Sequence, residues 1–209
     1  MKRLLFNVLV GIFYWSVSCN AQWSSSMVLG MDFYQQYKNP EHVSDQGSSR
    51  SSGAAILAIP FGIQVSYGKN NASIALEAGA NFAPLAIDVN EFKGFGAVSF
   101  PLMAKFNAGA LTGISKNRLI GYSIGGGIQF NRTELFGLNE KFKEIKRSIF
   151  PTYVGELGVG GGVGGFNLIL FLRIGFNQAN AFSLNTGIVT KTNLFKSKTA
   201  NNNKTLHQS

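Results

Sequence analysis

Between Phe150 and Asn177 the sequence runs FPTYVGELGVGGGVGGFNLILFLRIGFN. The central pair Gly164-Gly165 accepts the positive φ angles that a two-residue primed turn requires, so the stretch predicts a β-hairpin. The turn fixes the pairing, beginning with Val163 opposite Phe166. One face then sets Val159 against Leu170, Leu157 against Leu172 and Tyr153 against Phe176. The other sets Glu156 against Arg173, Gly158 against Phe171 and Gly160 against Ile169. The first face is apolar from end to end. The second carries a charge pair and places a small residue against each large one. A sheet in water hides its apolar face and wets the other. Here the second face is packed around an ion pair, and that inversion predicts a narrow closed barrel whose outside meets lipid.

The rest of the chain supplies further alternating segments. Trp23–Gln35 sets Met27, Leu29, Met31 and Phe33 on one face and Val28, Gly30, Asp32 and Tyr34 on the other. A polar loop, Lys38–Ser52, follows. Gly53–Tyr67 alternates most clearly, with Leu57, Ile59, Phe61, Ile63, Val65 and Tyr67 against Ala58, Pro60, Gly62, Gln64 and Ser66. Pro60 removes a ladder donor, so a bulge is expected there. Ala72–Ala83 turns Glu77 inward, Phe95–Asn107 turns Met103 and Lys105 inward, and Arg118–Asn131 turns Gly121, Ser123, Gly125, Gly127 and Gln129 inward. Ala108–Asn117 reads as a turn region. Arg132–Ile149 reads as the longest loop, with a short helix expected in Asn139–Arg147. Phe182–Leu194 is the last strand, with Phe195 as a terminal aromatic residue, and its alternation weakens after Ile188. The count is eight strands of about 12 residues, enough for tilted strands to cross a bilayer. Aromatics fall near strand ends in two groups: Trp23, Tyr67, Phe106, Tyr122 and Phe166 at one rim, Phe33, Phe82, Phe130, Tyr153, Phe176 and Phe182 at the other. Two such groups match the interfacial girdles of a membrane barrel.

Composition agrees with an all-β chain: 14% charged, 12% aromatic, 25 Gly and 5 Pro in 209 residues. At the N-terminus, Lys2-Arg3 precedes an apolar run from Leu4 to Val17, and Cys19-Asn20-Ala21 offers a small-residue cleavage site. This is the pattern of a secretory signal peptide, residues 1–21. Cleavage would remove two cations and lower the formal charge from +9 to +7. Lipidation of Cys19 is the alternative, although Ser16-Val17-Ser18 lacks the usual Leu three places before the cysteine. With Cys19 as the lone cysteine, no disulfide framework and no thiolate metal site is expected in the exported protein, residues 22–195, and no cofactor is implied. No later segment has 18 uninterrupted apolar residues, which excludes transmembrane helices as the architecture. Residues 196–209 read as a disordered polar tail.

The signal peptide, the alternating strands and the two girdles together resemble the small eight-stranded outer-membrane proteins, the OmpA/OmpX-like and PorT-like outer-membrane β-barrel domain family. The resemblance covers Trp23–Phe195 and rests on pattern rather than on a residue motif. It implies an all-β, eight-stranded antiparallel up-and-down transmembrane β-barrel in the bacterial outer membrane. It also implies a plugged interior, and a porin-like protein of the cell envelope. The tail after Phe195 departs from members that end at the last strand.

Five inward charges, Asp32, Glu77, Lys105, Glu156 and Arg173, form the candidate interior network. A lone buried charge costs several kcal/mol, so each is expected to be paired. Glu156–Arg173 follows from the hairpin register. Glu77 and Lys105 are offset on neighbouring strands, and contact through Asp32 or a water is expected. Such a network can line a pore or ligand site, or it can fill the barrel as a structural plug. Eight strands leave an interior that side chains just fill, which favours the plug.

Other signals carry less. Gly160-x-Gly162-x-x-Gly165 matches a dinucleotide fingerprint, but a strand follows it and no acid lies about 20 residues on. The positive charge could suggest nucleic acid, but the Lys and Arg residues lie between strands and in the tail rather than among stacking aromatics. Lipid headgroups and lipopolysaccharide fit that charge better. His42, Ser44 and Asp45 crowd one outer loop without a supporting catalytic motif, and His207 lies in the tail. The expected role is therefore non-catalytic: structural, adhesive or in assembly, with outer loops as interaction sites. The expected partners are outer-membrane lipid, the barrel-assembly machinery and an extracellular or envelope protein. The alternatives are an outer-membrane lipid-modifying enzyme and a soluble exported lipocalin-like ligand-binding barrel. The last predicts an apolar lumen.

Overall fold

The computed structural model describes residues 22–40, 52–69, 71–88, 93–114, 119–137, 148–163 and 165–196. The signal peptide expected at residues 1–21, His42, Ser44, Asp45, the short helix expected in the 139–147 segment and the tail beyond Lys196 lie outside them. The described chain forms β1 (Gln22–Lys38), β2 (Ser52–Ala55), β3 (Ile59–Lys69), β4 (Ala72–Asp88), β5 (Gly94–Gly109), β6 (Ile120–Gly137), β7 (Phe150–Val163), β8 (Phe166–Phe176) and β9 (Phe182–Lys196). Each strand pairs antiparallel with the next around the sheet, and β1 pairs with β9 to close it. β2 and β3 share one position, between β1 and β4, so the nine segments make an eight-membered up-and-down barrel. The fold expected from the sequence is the fold observed.

The hairpin pairs Val163 with Phe166, Glu156 with Arg173 and Tyr153 with Phe176, as its turn dictates. Gly165 takes φ +96, a conformation that glycine adopts without strain. Around the ring the register is strongly staggered. The row that starts at Met27 passes through Ile63, Ala78, Leu102, Ile128, Tyr153, Phe176 and Phe182. It returns to β1 at Lys38, 38 − 27 = 11 positions along. A stagger of this size goes with strands tilted about 35–45° to the barrel axis. Both ends of the described sheet, Gln22 and Lys196, lie at one mouth, here called the near end; the other mouth is the far end.

The two surfaces are inverted relative to a soluble protein. Leu29, Phe61, Ile63, Leu76, Leu102, Ile124, Leu157, Leu170 and Leu172 are exposed on the outer wall, whereas Ser26, Gln64, Glu77, Lys105, Gln129, Glu156, Arg173 and Asn185 are buried inside. Polar atoms inside and hydrocarbon outside is the arrangement of a barrel that spans a bilayer, because lipid cannot satisfy polar groups and the closed ladder leaves no open edge.

Several boundaries differ from the sequence reading. The irregularity expected at Pro60 lies at residues 56–58 instead. There the β2–β3 strand opens, and Leu57 takes φ +70. The register on β1 is unchanged across the gap, since Gln35 pairs with Ala55 and Leu29 with Phe61. Pro60 keeps its place opposite Asn81. Tyr34 was expected inside beside Asp32, but it faces out with Phe33 because a bulge between Asp32 and Tyr34 reverses the alternation, and Gln35 turns in. β6 continues six residues past Asn131 to Gly137, so the following loop is shorter than its composition suggested. Irregularities at Ala83–Ile87 on β4 and Phe95–Ala97 on β5 continue this band across the far end. Inside the band, Tyr37, Ala55, Ala58, Ala83, Ala86 and Ala97 form an apolar cluster.

At the near end the β5–β6 connection is more than a turn. Ala110–Thr112 makes one 3-10 turn, and Leu111, Thr112 and Ile114 are buried within the mouth. Leu111 packs with Val28, Ile169, Phe171 and Val189. The carbonyls of this segment are also engaged. Ser73 Oγ donates to the Thr112 carbonyl at 3.0 Å and Asn193 Nδ2 to that of Gly113 at 2.8 Å, while Lys196 Nζ donates to that of Ile114.

Candidate functional site

The middle of the barrel holds the charges singled out in the sequence, and it holds them in one connected network. One row of the sheet carries Lys105, Gly125, Glu156 and Arg173 on successive strands β5, β6, β7 and β8, all facing inward. Glu156 receives two bonds from Arg173, Nε to Oε2 at 2.9 Å and Nη2 to Oε2 at 2.6 Å. Its other oxygen, Oε1, receives Lys105 Nζ at 2.5 Å. Lys105 can reach it because the residue between them is glycine. A Cβ on Gly125 would lie 2.7 Å from Lys105 Cγ and 3.0 Å from the Ala104 carbonyl oxygen.

Lys105 also meets Glu77 directly, with Nζ 2.6 Å from Oε1. The indirect contact expected through Asp32 or water is thus replaced by an ion pair. Glu77 stands opposite Met103 rather than Lys105, but the lysine chain spans that diagonal step. Glu77 Oε2 lies 3.3 Å from Lys191 Nζ, which also donates to Gln64 Oε1. On the other side Arg173 Nη1 donates to Gln129 Oε1 at 3.2 Å, and its guanidinium carbon lies 5.5 Å from the Phe171 ring centroid. The chain of bonds continues from Gln129 to Asn131 at 2.7 Å and from Asn131 to Thr152 at 2.9 Å.

Asp32 stands apart from the ion pairs. Its Oδ2 accepts from Asn81 Nδ2 at 2.6 Å and from Asn185 Nδ2 at 2.9 Å, joining β1 to β4 and β9. The structure therefore brings Glu77, Lys105, Glu156 and Arg173 together and holds Asp32 in a neighbouring amide pair. Three acids, Asp32, Glu77 and Glu156, balance three bases, Lys105, Arg173 and Lys191, in this part of the interior.

Lys191 was missed by the sequence reading, as were the amide partners Gln64, Asn81, Gln129 and Asn185 in their roles. The fading alternation after Ile188 hid Lys191, since its outward neighbours are Thr190 and Thr192 rather than apolar residues. Thr190 is tolerated outside because its hydroxyl donates to the Leu29 carbonyl at 2.8 Å, as Thr186 does to that of Phe171 at 2.9 Å. Each hydroxyl is satisfied by the neighbouring strand rather than left bare in hydrocarbon. Continuing the two-residue period past Val189, regardless of hydropathy, would have placed Lys191 inside.

Around the network, Glu77, Lys105, Glu156, Phe171 and Arg173 border a cavity of about 20 Å³. A space of that size holds about one water molecule. The lumen is polar and charged at this level, the reverse of the apolar lumen that a lipocalin-like ligand barrel needs. Among the described residues no cluster of three or more His, Cys, Asp or Glu side chains is arranged to hold a metal ion.

No family model matches this sequence, and no curated protein does. Among solved structures, the chain is similar to Neisserial surface protein A, with 12% identity over 83% of this chain and 97% of that one, at a TM-score of 0.42. It is similar to the N-terminal β-barrel domain of Pseudomonas aeruginosa OprF, with 10% identity over 80% and 96% and a TM-score of 0.44. It is also similar to Ail, the attachment invasion locus protein of Yersinia pestis, solved with the heparin analogue sucrose octasulfate. There the identity is 9% over 84% and 99%, with a TM-score of 0.44. At these identities the likeness is one of fold.

Proposed function

We propose that this chain is a bacterial outer-membrane β-barrel, exported by a signal peptide cleaved after Ala21. In this reading its interior is a fixed plug. The protein acts without catalysis, in envelope structure, adhesion or assembly, through the connections at its far end. The observation that carries this reading is the inversion of surfaces around a neutral, hydrogen-bonded interior. A pore needs a continuous wet path, and the charged groups here are committed to one another across the lumen. The near mouth is filled by Leu111, Thr112 and Ile114. Filled at both levels, the barrel presents its surroundings with an apolar wall and two sets of connections. The far-end connections would face outward under the usual topology, with both ends of the chain in the periplasm.

The partners that follow are the outer-membrane lipid with its lipopolysaccharide, the barrel-assembly machinery during insertion, and an extracellular or envelope protein at the far end. Carbonate washing of membranes from expressing cells tests the first step. The protein should stay with the membrane and run faster on a detergent gel before heating than after. Release by carbonate alone would overturn the spanning-barrel reading. Vesicles carrying the folded protein should not swell in small sugars, and rapid swelling would overturn the plug. Cross-linking from single cysteines in the far-end connections on intact cells should yield a protein adduct. Failure to yield one from any connection would count against an interaction role.

A further inference from the structure

On the outer wall at the far end, one ladder row places Lys38, Phe182, Phe176 and Tyr153 side by side on β1, β9, β8 and β7. The rings of Phe176 and Phe182 meet at 5.3 Å between centroids. Above them the five-residue connection from Asn177 to Ala181 is held rigid. Asn177 Oδ1 accepts from the N–H groups of Ala179 and Ala181, both at 2.9 Å, and Asn177 Nδ2 donates to the Pro151 carbonyl at 3.1 Å. Between this connection and the end of β1 lies a depression of about 650 Å³, lined by Gln36, Lys38, Phe176, Asn177, Asn180 and Phe182 among others. One wall of it offers an ammonium and amides, the other two aromatic rings. Among the described residues no hydrogen bond or ion pair engages the Lys38 ammonium.

Two further facts indicate what belongs there. Phe176 and Tyr153 are exposed and continue into the apolar wall, so the depression straddles the edge of the lipid-facing belt. The acids Asp32, Glu77, Glu134 and Glu156 are all buried, whereas Lys38, Lys69 and Arg132 sit at the outer ends of the wall, partly or fully exposed. Among the described residues the wall therefore offers positive charge at its rims. A soluble anion would use the ammonium and leave the rings idle; an apolar ligand would use the rings and leave the ammonium idle. An amphiphile uses both.

We infer that this depression seats the phosphorylated headgroup of a lipid of the surrounding leaflet. Lys38 is its counter-ion, Gln36 donates a hydrogen bond, and Phe176 and Phe182 carry the first methylenes of its acyl chains. The inference rests on the spanning-barrel reading, which places this end in the outer leaflet and makes a phosphorylated lipid A the natural occupant.

The test uses the folded full-length mature protein in detergent, with retention of added lipid measured by native mass spectrometry. The probes are bisphosphorylated lipid A and the same lipid A with its phosphates removed. The wild type should retain the bisphosphorylated form. Lys38→Gln should weaken retention about tenfold, the loss of one charge-assisted contact, and Lys38→Glu should weaken it further. Lys69→Gln, at the other end, should leave retention unchanged. Equal retention of the dephosphorylated lipid, full retention by the Lys38 variants, or an equal loss in Lys69→Gln would each overturn the inference. Displacement by millimolar inorganic phosphate would overturn it too, by assigning the site to a free anion. The mobility shift on heating is read for every protein. A barrel that shifts but retains no lipid sinks this inference alone, whereas a wild type that does not shift sinks the spanning-barrel reading beneath it.

Discussion

Lys105 reaches Glu156 by lying across Gly125, the residue that separates them in the same ladder row. A side chain at 125 meets the lysine stem at 2.7 Å. Gly125→Val should therefore break the Lys105–Glu156 contact and destabilise the barrel by about 3 kcal/mol, at the lower end for a broken buried pair. The neighbouring Gly126→Ala adds a methyl outside, where the nearest atom is 3.4 Å away, and should change stability by less than about 0.5 kcal/mol. Urea titrations of the two variants in lipid vesicles, followed by tryptophan fluorescence, compare them directly. Equal effects would show that the space over Gly125 is not what the lysine needs.

Glu156 is shared between Arg173 and Lys105, so removing it leaves Arg173 without a carboxylate partner among the described residues and Lys105 with Glu77 alone. Glu156→Ala should cost about 3–5 kcal/mol. In a double-mutant cycle with Arg173→Ala, the coupling should exceed about 1 kcal/mol, because the two variants remove the same bonds. Additive effects would mean that the pair contributes nothing as a pair.

Lys191→Met leaves Glu77 with one cation instead of two and takes the donor from Gln64 Oε1. A loss of about 2–3 kcal/mol is expected, and Glu77→Gln in the same protein should recover part of it by removing the carboxylate charge. If the losses of Lys191→Met and Glu77→Gln measured singly simply add in the double variant, the assignment of Lys191 to Glu77 is wrong.

Leu111 is 1% exposed inside the near mouth. Leu111→Ala should cost about 2–4 kcal/mol through the space it leaves among Val28, Ile169 and Phe171. Replacing Leu111, Thr112 and Ile114 together by glycine should admit small ions to vesicles carrying the folded protein. A variant that stays as tight as the wild type would place the barrier deeper, in the charged layer.

Leu157 lies midway along β7 on the outer wall and is 58% exposed. Leu157→Arg should cost about 2–4 kcal/mol if that wall meets the bilayer core. The same change on a wall facing water would cost almost nothing. Folding yields of the variant in vesicles distinguish the two.

Much of this architecture is legible in the sequence because it rests on a period of two. The Gly164-Gly165 turn fixes eleven pairs of β7 and β8 by number alone, and the inward and outward sets of β3, β5 and β6 follow from alternation. What escapes is whatever breaks the period or ignores hydropathy. The bulge at Phe33 turns Tyr34 out and Gln35 in, and one extra residue has no signature in composition. Thr190 and Thr192 beside Lys191 look like a strand ending, because a threonine hydroxyl counts as polar even where, as at Thr190, a neighbouring carbonyl answers it. Ala110–Ile114 looks like a turn, since its burial depends on the mouth it fills. Of the candidate site, the five charges were visible, but their partners depend on side chains that cross the lumen between strands far apart in sequence.

That wiring bears on how the chain reaches its final state. Glu77 draws a cation from β5 and another from β9, and Asp32 on β1 takes amides from β4 and β9. A nascent chain held before its last strand would carry two carboxylates each short of a donor. Only when β9 arrives to seal the seam with β1 are both answered. The contacts that β9 brings to Glu77 and Asp32 therefore favour the closed ring over a chain that still lacks its last strand.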